Sequence, residues 1–261
     1  MNITGNNILI TGGATGIGLA LAERFLKAGS QVTVCGRRES ALREAQARNP
    51  GLKTRVCDVG SPDERIKLME WAKAEKPGFN VLVNNAGIQR RGVNLAETED
   101  WDAIHQEIAI NLEAPIHLAR LFAEHISQQK DQASANPANT SPPMVSPVII
   151  NVTSGLAFVP LAMVPVYCAT KAALHSFTLS LRHHLAKTAI KVIEIIPPAV
   201  NTDLGGKGLH DFGVPLDEFS DAVFSRLQGD ELEIAYGFAQ KSSRASRQEL
   251  DGMFQQMNQP H

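Results

Sequence analysis

Cysteine is scarce. The 261-residue chain holds three, Cys35, Cys57 and Cys168, and no two stand in a CxxC pair. An odd, sparse set excludes a disulfide framework and suits a reducing compartment, so a cytoplasmic location is expected. Histidine offers no metal site either. His183 and His184 are adjacent and point apart, and no H-x-x-x-H spacing occurs, so no metal is expected. Net charge is almost absent, at −2. That argues against the basic face of a nucleic-acid partner or a polybasic membrane patch. No apolar run reaches the roughly 18 residues of a membrane-spanning helix, so no membrane insertion is expected. The first apolar stretch, 8–11, follows two asparagines and ends in glycines, which reads as a strand and not a signal peptide. Only two tyrosines are present, and one of them, Tyr167, stands four residues before Lys171.

What the chain does have is apolar material, 43% of its residues against 20% charged, enough for the core of one domain over 1–261. Short β-rich runs at 7–11, 31–35, 53–58, 80–84, 147–154, 191–197 and, more weakly, 231–236 alternate with helical patterns. The helices are expected at 16–28, 39–48, 62–76, 101–129 and 166–187, with an amphipathic carboxyl-terminal helix at 242–257. Runs such as Val148-Ile149-Ile150-Asn151-Val152 suit parallel strands covered on both faces. The pattern predicts an α/β fold, a Rossmann-type doubly wound parallel sheet of about seven strands. Residues 128–147, rich in Ser, Pro, Asn and Gln, interrupt it and read as a flexible insert. The insert precedes a strand, so it belongs at the amino ends of the sheet, away from the carboxyl edge where ligands bind.

The first strand runs into TGGATGIG, Thr11 to Gly18, where Gly12, Gly16 and Gly18 free the backbone to turn sharply just as a helix begins. A helix amino end there can hold a phosphate. The spacing is T-G-x-x-x-G-x-G. Asn84-Asn85-Ala86-Gly87 closes the fourth strand, Asp58-Val59 ends the third, Asn111 lies in the long middle helix, and Ser154 stands thirteen residues before Tyr167 in Tyr167-x-x-x-Lys171. Pro197-Pro198-Ala199-Val200-Asn201-Thr202 follows the sixth strand. Together these motifs resemble the short-chain dehydrogenase/reductase family over nearly the whole chain, with Pro198 where the family usually has glycine. Stretches such as CGRRE, NVTSGLAF and IIPPAV resemble its DltE-type bacterial branch.

The resemblance implies hydride transfer between an alcohol or carbonyl substrate and a nicotinamide cofactor. It implies cofactor contacts from Gly12, Thr15, Gly16, Ile17, Gly18, Asp58, Val59, Asn85, Ala86, Gly87, Tyr167, Lys171, Pro197, Val200 and Thr202. It also implies that Lys171 bonds the nicotinamide ribose and that Asn111 holds a water passing protons to Lys171. Which nicotinamide follows from charge. The second strand ends Cys35-Gly36-Arg37-Arg38 with no carboxylate at its tip, so Arg37 and Arg38 favour the 2′-phosphate of NADP(H) over NAD(H).

Residues four apart share a helix face, so Lys171 is expected to hold its charge near the Tyr167 hydroxyl and, with the oxidised nicotinamide, to lower the phenol's pKa into a usable range. Ser154, at the end of the fifth strand, is expected to steady the substrate oxygen. Cys168 lies about 100° around the helix from Tyr167 and reads as packing. Residues 201–226 read as a substrate lid with glycine hinges, with Leu204, Leu209, Phe212 and Phe219 as its apolar ceiling and Leu156 and Val164 as the facing wall. The two long helices carry apolar residues on more than one face. In relatives they pair between subunits, which implies a homodimer or homotetramer. Two other functions fit parts of the pattern. One is a sugar-nucleotide epimerase or dehydratase, whose glycine spacing differs. The other is an NADP(H)-binding sensor, which has no need of the Asn111, Ser154, Tyr167 and Lys171 set.

Overall fold

The computed structural model describes residues 1–75, 78–91, 100–135 and 146–259, with 130–135 described by backbone alone. Among these residues seven parallel strands form one sheet in the order β3-β2-β1-β4-β5-β6-β7. They are β1 (Asn7–Thr11), β2 (Gln31–Gly36), β3 (Lys53–Val56), β4 (Phe79–Asn84), β5 (Val148–Val152), β6 (Lys191–Ile196) and β7 (Glu233–Ala235). The helices are α1 (Gly16–Lys27), α2 (Glu39–Arg48), α3 (Pro62–Glu75), α4 (Trp101–Ile108), α5 (Ala114–Ala135), α6 (Pro165–His184), α7 (Leu216–Leu227), α8 (Gly237–Ser242) and α9 (Arg247–Met257). The doubly wound α/β architecture is the one the alternating pattern predicts.

Side chains alternate across each strand, so both faces of this sheet must be apolar. Ile8, Ile10, Val81, Val83, Val148 and Ile150 share one core with Leu21 and Phe25 of α1 and Phe219 and Val223 of α7. The intervening Leu9, Leu82 and Ile149 belong to the other, with Leu68 of α3 and Leu118 and Phe122 of α5. The strand order reverses between β1 and β4. Their following connections run to opposite sides, and this opens a crevice at the carboxyl edge.

Three sequence expectations change. The single long helix expected at 101–129 is two helices joined by a π turn, Ala109–Glu113. Pro115 has no N–H to offer the Asn111 carbonyl four residues back, which favours a break in the α pattern there. The expected insert begins later than Gln128, because α5 continues to Ala135. Residues 136–145 of it lie outside the described residues. The segment 201–226, expected as a lid, contains α7, an anchored helix: Arg24 of α1 binds Asp217 at 3.2 Å and Asp221 at 2.8 Å. Phe219 is accordingly fully buried in the core and no part of a ceiling.

Phe122 is fully buried and meets Phe79 edge to face, centroids 5.1 Å apart. Phe122→Ala should cost about 3–5 kcal/mol, read as a lowered denaturation midpoint. A loss well under about 1 kcal/mol would show this core to be loosely packed.

Candidate active site

The carboxyl edges of β1 and β4 are tied together before any ligand is considered. Asn85 donates from Nδ2 to the carbonyls of Thr11 (3.0 Å) and Gly12 (3.1 Å). The Thr11 hydroxyl accepts from the backbone N–H groups of Asn85 and Ala86. Two glycines make the close approach possible. A Cβ on Gly12, at φ +64°, would stand 2.7 Å from the Ala86 Cα. One on Gly18 would stand 2.4 Å from Asn85 Nδ2. Thr15 caps α1 in an extended conformation with no side-chain bond to the helix. The first N–H groups of α1 therefore need partners from elsewhere.

These turns border a cleft of about 1280 Å³. Nearly every expected cofactor residue lines it: Gly12, Thr15, Gly16, Ile17, Arg37, Arg38, Asp58, Val59, Asn85, Ala86, Gly87, Pro197, Val200 and Thr202, with Ser154, Tyr167 and Lys171 at the far end. Gly18 and Asn111 stand behind the wall. Gly18 makes room for the Asn85 amide. Asn111 pairs both ways with the Ile88 backbone, accepting from its N–H at 2.9 Å and donating to its carbonyl at 2.8 Å. Its amide also reaches the Thr170 hydroxyl at 3.2 Å.

The residues fit a dinucleotide phosphate. The glycine turn leaves no side chain where the backbone must approach a ligand, and the α1 amino end attracts anions. Arg38 reaches the Thr15 hydroxyl at 3.5 Å, and neither Arg37 nor Arg38 forms an ion pair among the described residues. Glu39, the nearest carboxylate in sequence, is bound to Arg43 at 2.6 Å.

At the far end, α6 presents Tyr167 and Lys171 on one face. Both are buried, and the Lys171 ammonium lies 5.7 Å from the phenol ring centroid. Lys171 Nζ donates to the Val152 carbonyl at 2.8 Å. Ser154 Oγ accepts from the Leu156 N–H at 3.1 Å and stands close enough to the phenol to act on its acidity. The acidity expected from Lys171 does not arise in the free chain. Burial pushes the Tyr167 phenol up, and the group that pulls it down is Ser154, not Lys171. Desolvation dominates because the ammonium spends its short bond on Val152 and is itself destabilised. Burial draws Lys171 down to about 8, opposed by the charge of Glu194.

The apolar wall is partly as expected. Leu156, Leu204 and Phe212 line the cleft, whereas Val164 is buried against Tyr167 and Cys168. Cys168 packs, with its thiol near the Leu161 backbone. Sequence reasoning missed three contributors. Phe238 of α8 and Met257 of α9 close one side of the cleft. Asn258 fixes α9 to its own domain, accepting from the Ala162 N–H at 2.6 Å and donating to the Pro160 carbonyl at 3.0 Å. The third is Glu194, a fully buried carboxylate on β6 bonded to Thr153 and His175. A lone Glu inside Val192-Ile193-Glu194-Ile195-Ile196 was the available signal. No cluster of metal-ligating side chains occurs among the described residues. No helix there is long and apolar enough to cross a membrane.

A family model described as short chain dehydrogenase matches residues 6–211. The chain is 43% identical over 263 residues to the oxidoreductase DltE of Bacillus subtilis strain 168, covering 99% of this chain and 98% of that one. Its fold is similar to a short chain dehydrogenase from Burkholderia cenocepacia J2315 solved in complex with NADP (TM-score 0.78, 26% identity, 97% of this chain and 99% of that one). It is also similar to a short-chain dehydrogenase from Sphingobium yanoikuyae in complex with NADPH (TM-score 0.75, 24% identity, 97% and 94%).

Lys171 carries a stability signature. A base whose folded-state pKa is lowered binds fewer protons folded than unfolded between the two values, so stability rises with pH there. Between about 8 and the ordinary 10.5 the wild type should gain roughly 2–3 kcal/mol relative to Lys171→Met. Paired denaturation curves from pH 7 to about 10 measure this. Parallel pH dependences would place the ammonium in water and contradict its burial.

Proposed function

The chain belongs to the short-chain dehydrogenase family, and from that premise we propose that it is an NADP(H)-dependent oxidoreductase interconverting an alcohol and a carbonyl, with Tyr167 as general acid and base. The observation that carries the reading is convergence. Ser154, Tyr167 and Lys171 meet on the wall of the same cleft whose other end is the glycine turn.

When bound, the nicotinamide supplies or accepts the hydride and, oxidised, brings positive charge that favours the phenolate. The chain's own residues do the rest. In the reducing direction Tyr167 gives its proton to the carbonyl oxygen, and Ser154 steadies that oxygen beside the phenol. Burial keeps the phenol protonated at rest but weakens it as an acid, so charge must meet the phenolate as the proton leaves. Lys171 stabilises the phenolate left behind and returns a proton to it. Asn111, clamped to the Ile88 backbone behind Lys171, is the route for a water carrying protons inward. Arg37 and Arg38 line the cleft and would hold a 2′-phosphate, and their charge supports NADP(H) over NAD(H). Leu156, Leu204 and Phe212 give the substrate end an apolar side, as a partly hydrophobic carbonyl compound needs. Trp101 of α4, Ile116 of α5 and Leu179 of α6 are exposed, which supports pairing of these helices in a homodimer or homotetramer.

The test is loss of NADPH absorbance against a broad panel of carbonyls. Tyr167→Phe should cut turnover by at least about a hundredfold and leave NADPH binding intact. Activity near wild type in that variant refutes the assignment. Tight NADPH binding with no turnover across the panel favours a sensor. Separately, Arg38→Asp should shift the preference toward NADH by at least about tenfold in kcat/KM, the loss of one charge-assisted contact. An unchanged ratio would refute the 2′-phosphate role.

A further inference from the structure

Beneath the proposed redox site lies a polar cluster that hydride transfer does not use. Glu194 stands in the middle of β6 with no solvent exposure. Its Oε1 accepts the Thr153 hydroxyl at 2.6 Å, and both carboxylate oxygens lie 3.0 Å from His175 Nδ1. His175 is one turn beyond Lys171 on α6 and keeps 22% of its side chain exposed. Phe158 packs on its ring, with centroids 4.6 Å apart. The cluster thus runs from the surface, through a buried carboxylate, to the neighbourhood of Lys171.

A buried carboxylate is costly, and a buried ion pair often adds no stability over an apolar clasp. Its charge needs a reason beyond holding α6 to β6. Lys171 supplies one. The ammonium is buried, its short bond goes to an uncharged carbonyl, and Glu194 is the group whose charge favours its protonated form. Among the described residues the surroundings offer little else. On α6 itself Tyr167 and Cys168 are neutral groups that burial pushes up. From β5, Thr153 and Ser154 carry no charge, and from the π turn Asn111 carries none. From α4, Glu107 acts on Tyr167 and Cys168, and burial pushes its own carboxyl up. His175 also feels Glu233 of β7 and Arg182 of α6, in opposite senses.

We propose that Glu194 and His175 are positioning residues for the site: Glu194 is the counter-charge that keeps Lys171 an ammonium in its dry wall, and His175 gates how much of that charge Lys171 feels. The proposal rests on reading Lys171 as part of the redox site. With His175 protonated, the pair with Glu194 is neutral overall. When His175 gives up its proton to solvent, the uncompensated carboxylate supports Lys171 more strongly. The hydrogen bond to Glu194 raises the histidine's pKa above its ordinary value, so this exchange occurs above about pH 6.5.

The test does not depend on turnover. Lysine and histidine side chains carrying ¹³C are titrated by NMR in the full-length protein without added cofactor, with Lys171 assigned by its loss in Lys171→Met. Glu194→Gln keeps an acceptor for Thr153 and removes the charge. It should lower the Lys171 midpoint by about one pH unit or more, and His175 should fall with it. His175→Asn keeps a donor to Glu194 and removes the positive charge, so it should move Lys171 upward. In the active enzyme the alkaline limb of kcat for carbonyl reduction should move in the same two directions. A Lys171 midpoint unmoved in Glu194→Gln, with His175 falling alone, would overturn the proposal and leave a structural clasp. Should Glu194→Gln not fold, His175→Asn decides: an unmoved Lys171 overturns the gating. A protein that shows these shifts but reduces no carbonyl sinks the redox reading and not this one.

Discussion

A buried ammonium is the constraint around which this molecule is arranged. Lys171 has left water, and among the described residues its direct partner is one backbone carbonyl. An ion in that position pays several kcal/mol of desolvation unless fixed dipoles and opposite charge replace the solvent. The surrounding side chains follow from that need. Val152 offers its carbonyl, Glu194 offers charge, and Tyr167 covers one side with its ring. The same dryness sets the phenol. Burial holds the proton on Tyr167, so the phenol rests protonated and is not a standing phenolate.

The sheet decides where these groups meet. In an all-parallel sheet every strand delivers its last residues to the same edge. Gly12 after β1, Arg37 after β2, Asp58 after β3, Asn85 after β4, Ser154 after β5 and Pro197 after β6 therefore share one cleft, although they span most of the chain. Tyr167 and Lys171 join them because α6 begins at that same edge, a short loop after Ser154 and its 3₁₀ turn. The Thr11–Asn85 lock matters for the same reason. It holds the switch point between β1 and β4 in register, so the glycine turn and the Asn85–Gly87 loop face each other across a fixed gap.

Legibility in the sequence follows locality. The glycine turn, the Tyr-x-x-x-Lys pair and the strand ends are written in contiguous residues with strict periodicity, and they appear where the pattern puts them. The strand 191–197 and helix 39–48 needed almost no adjustment. What failed was non-local. Phe219 reads as a lid residue until α7 is seen docked on α1 through Arg24. The Tyr167–Lys171 spacing is local, but in the free chain burial among residues of other elements outweighs it for the phenol, and no spacing encodes that burial. The Glu194–His175 pair joins positions nineteen apart on different elements, and neither has a motif around it.

A neighbouring pair shows that charge is not needed to fasten α6 to the sheet. Asn151 of β5 donates to the Thr178 hydroxyl at 2.9 Å and accepts from Asn84 of β4 at 2.9 Å, and Thr178 closes on the Leu174 carbonyl of its own helix. All of these groups are neutral and buried, and together they tie two strands to α6 with modest desolvation cost. Glu194 ties the same helix to the next strand, at far greater cost for an ion. The two fasteners differ in what stands beside them. His175 follows Lys171 by one turn of α6, whereas Thr178 lies two turns beyond it. A carboxylate adds nothing as a fastener that an amide would not. Its added value is a field, and the group that field favours is the lysine.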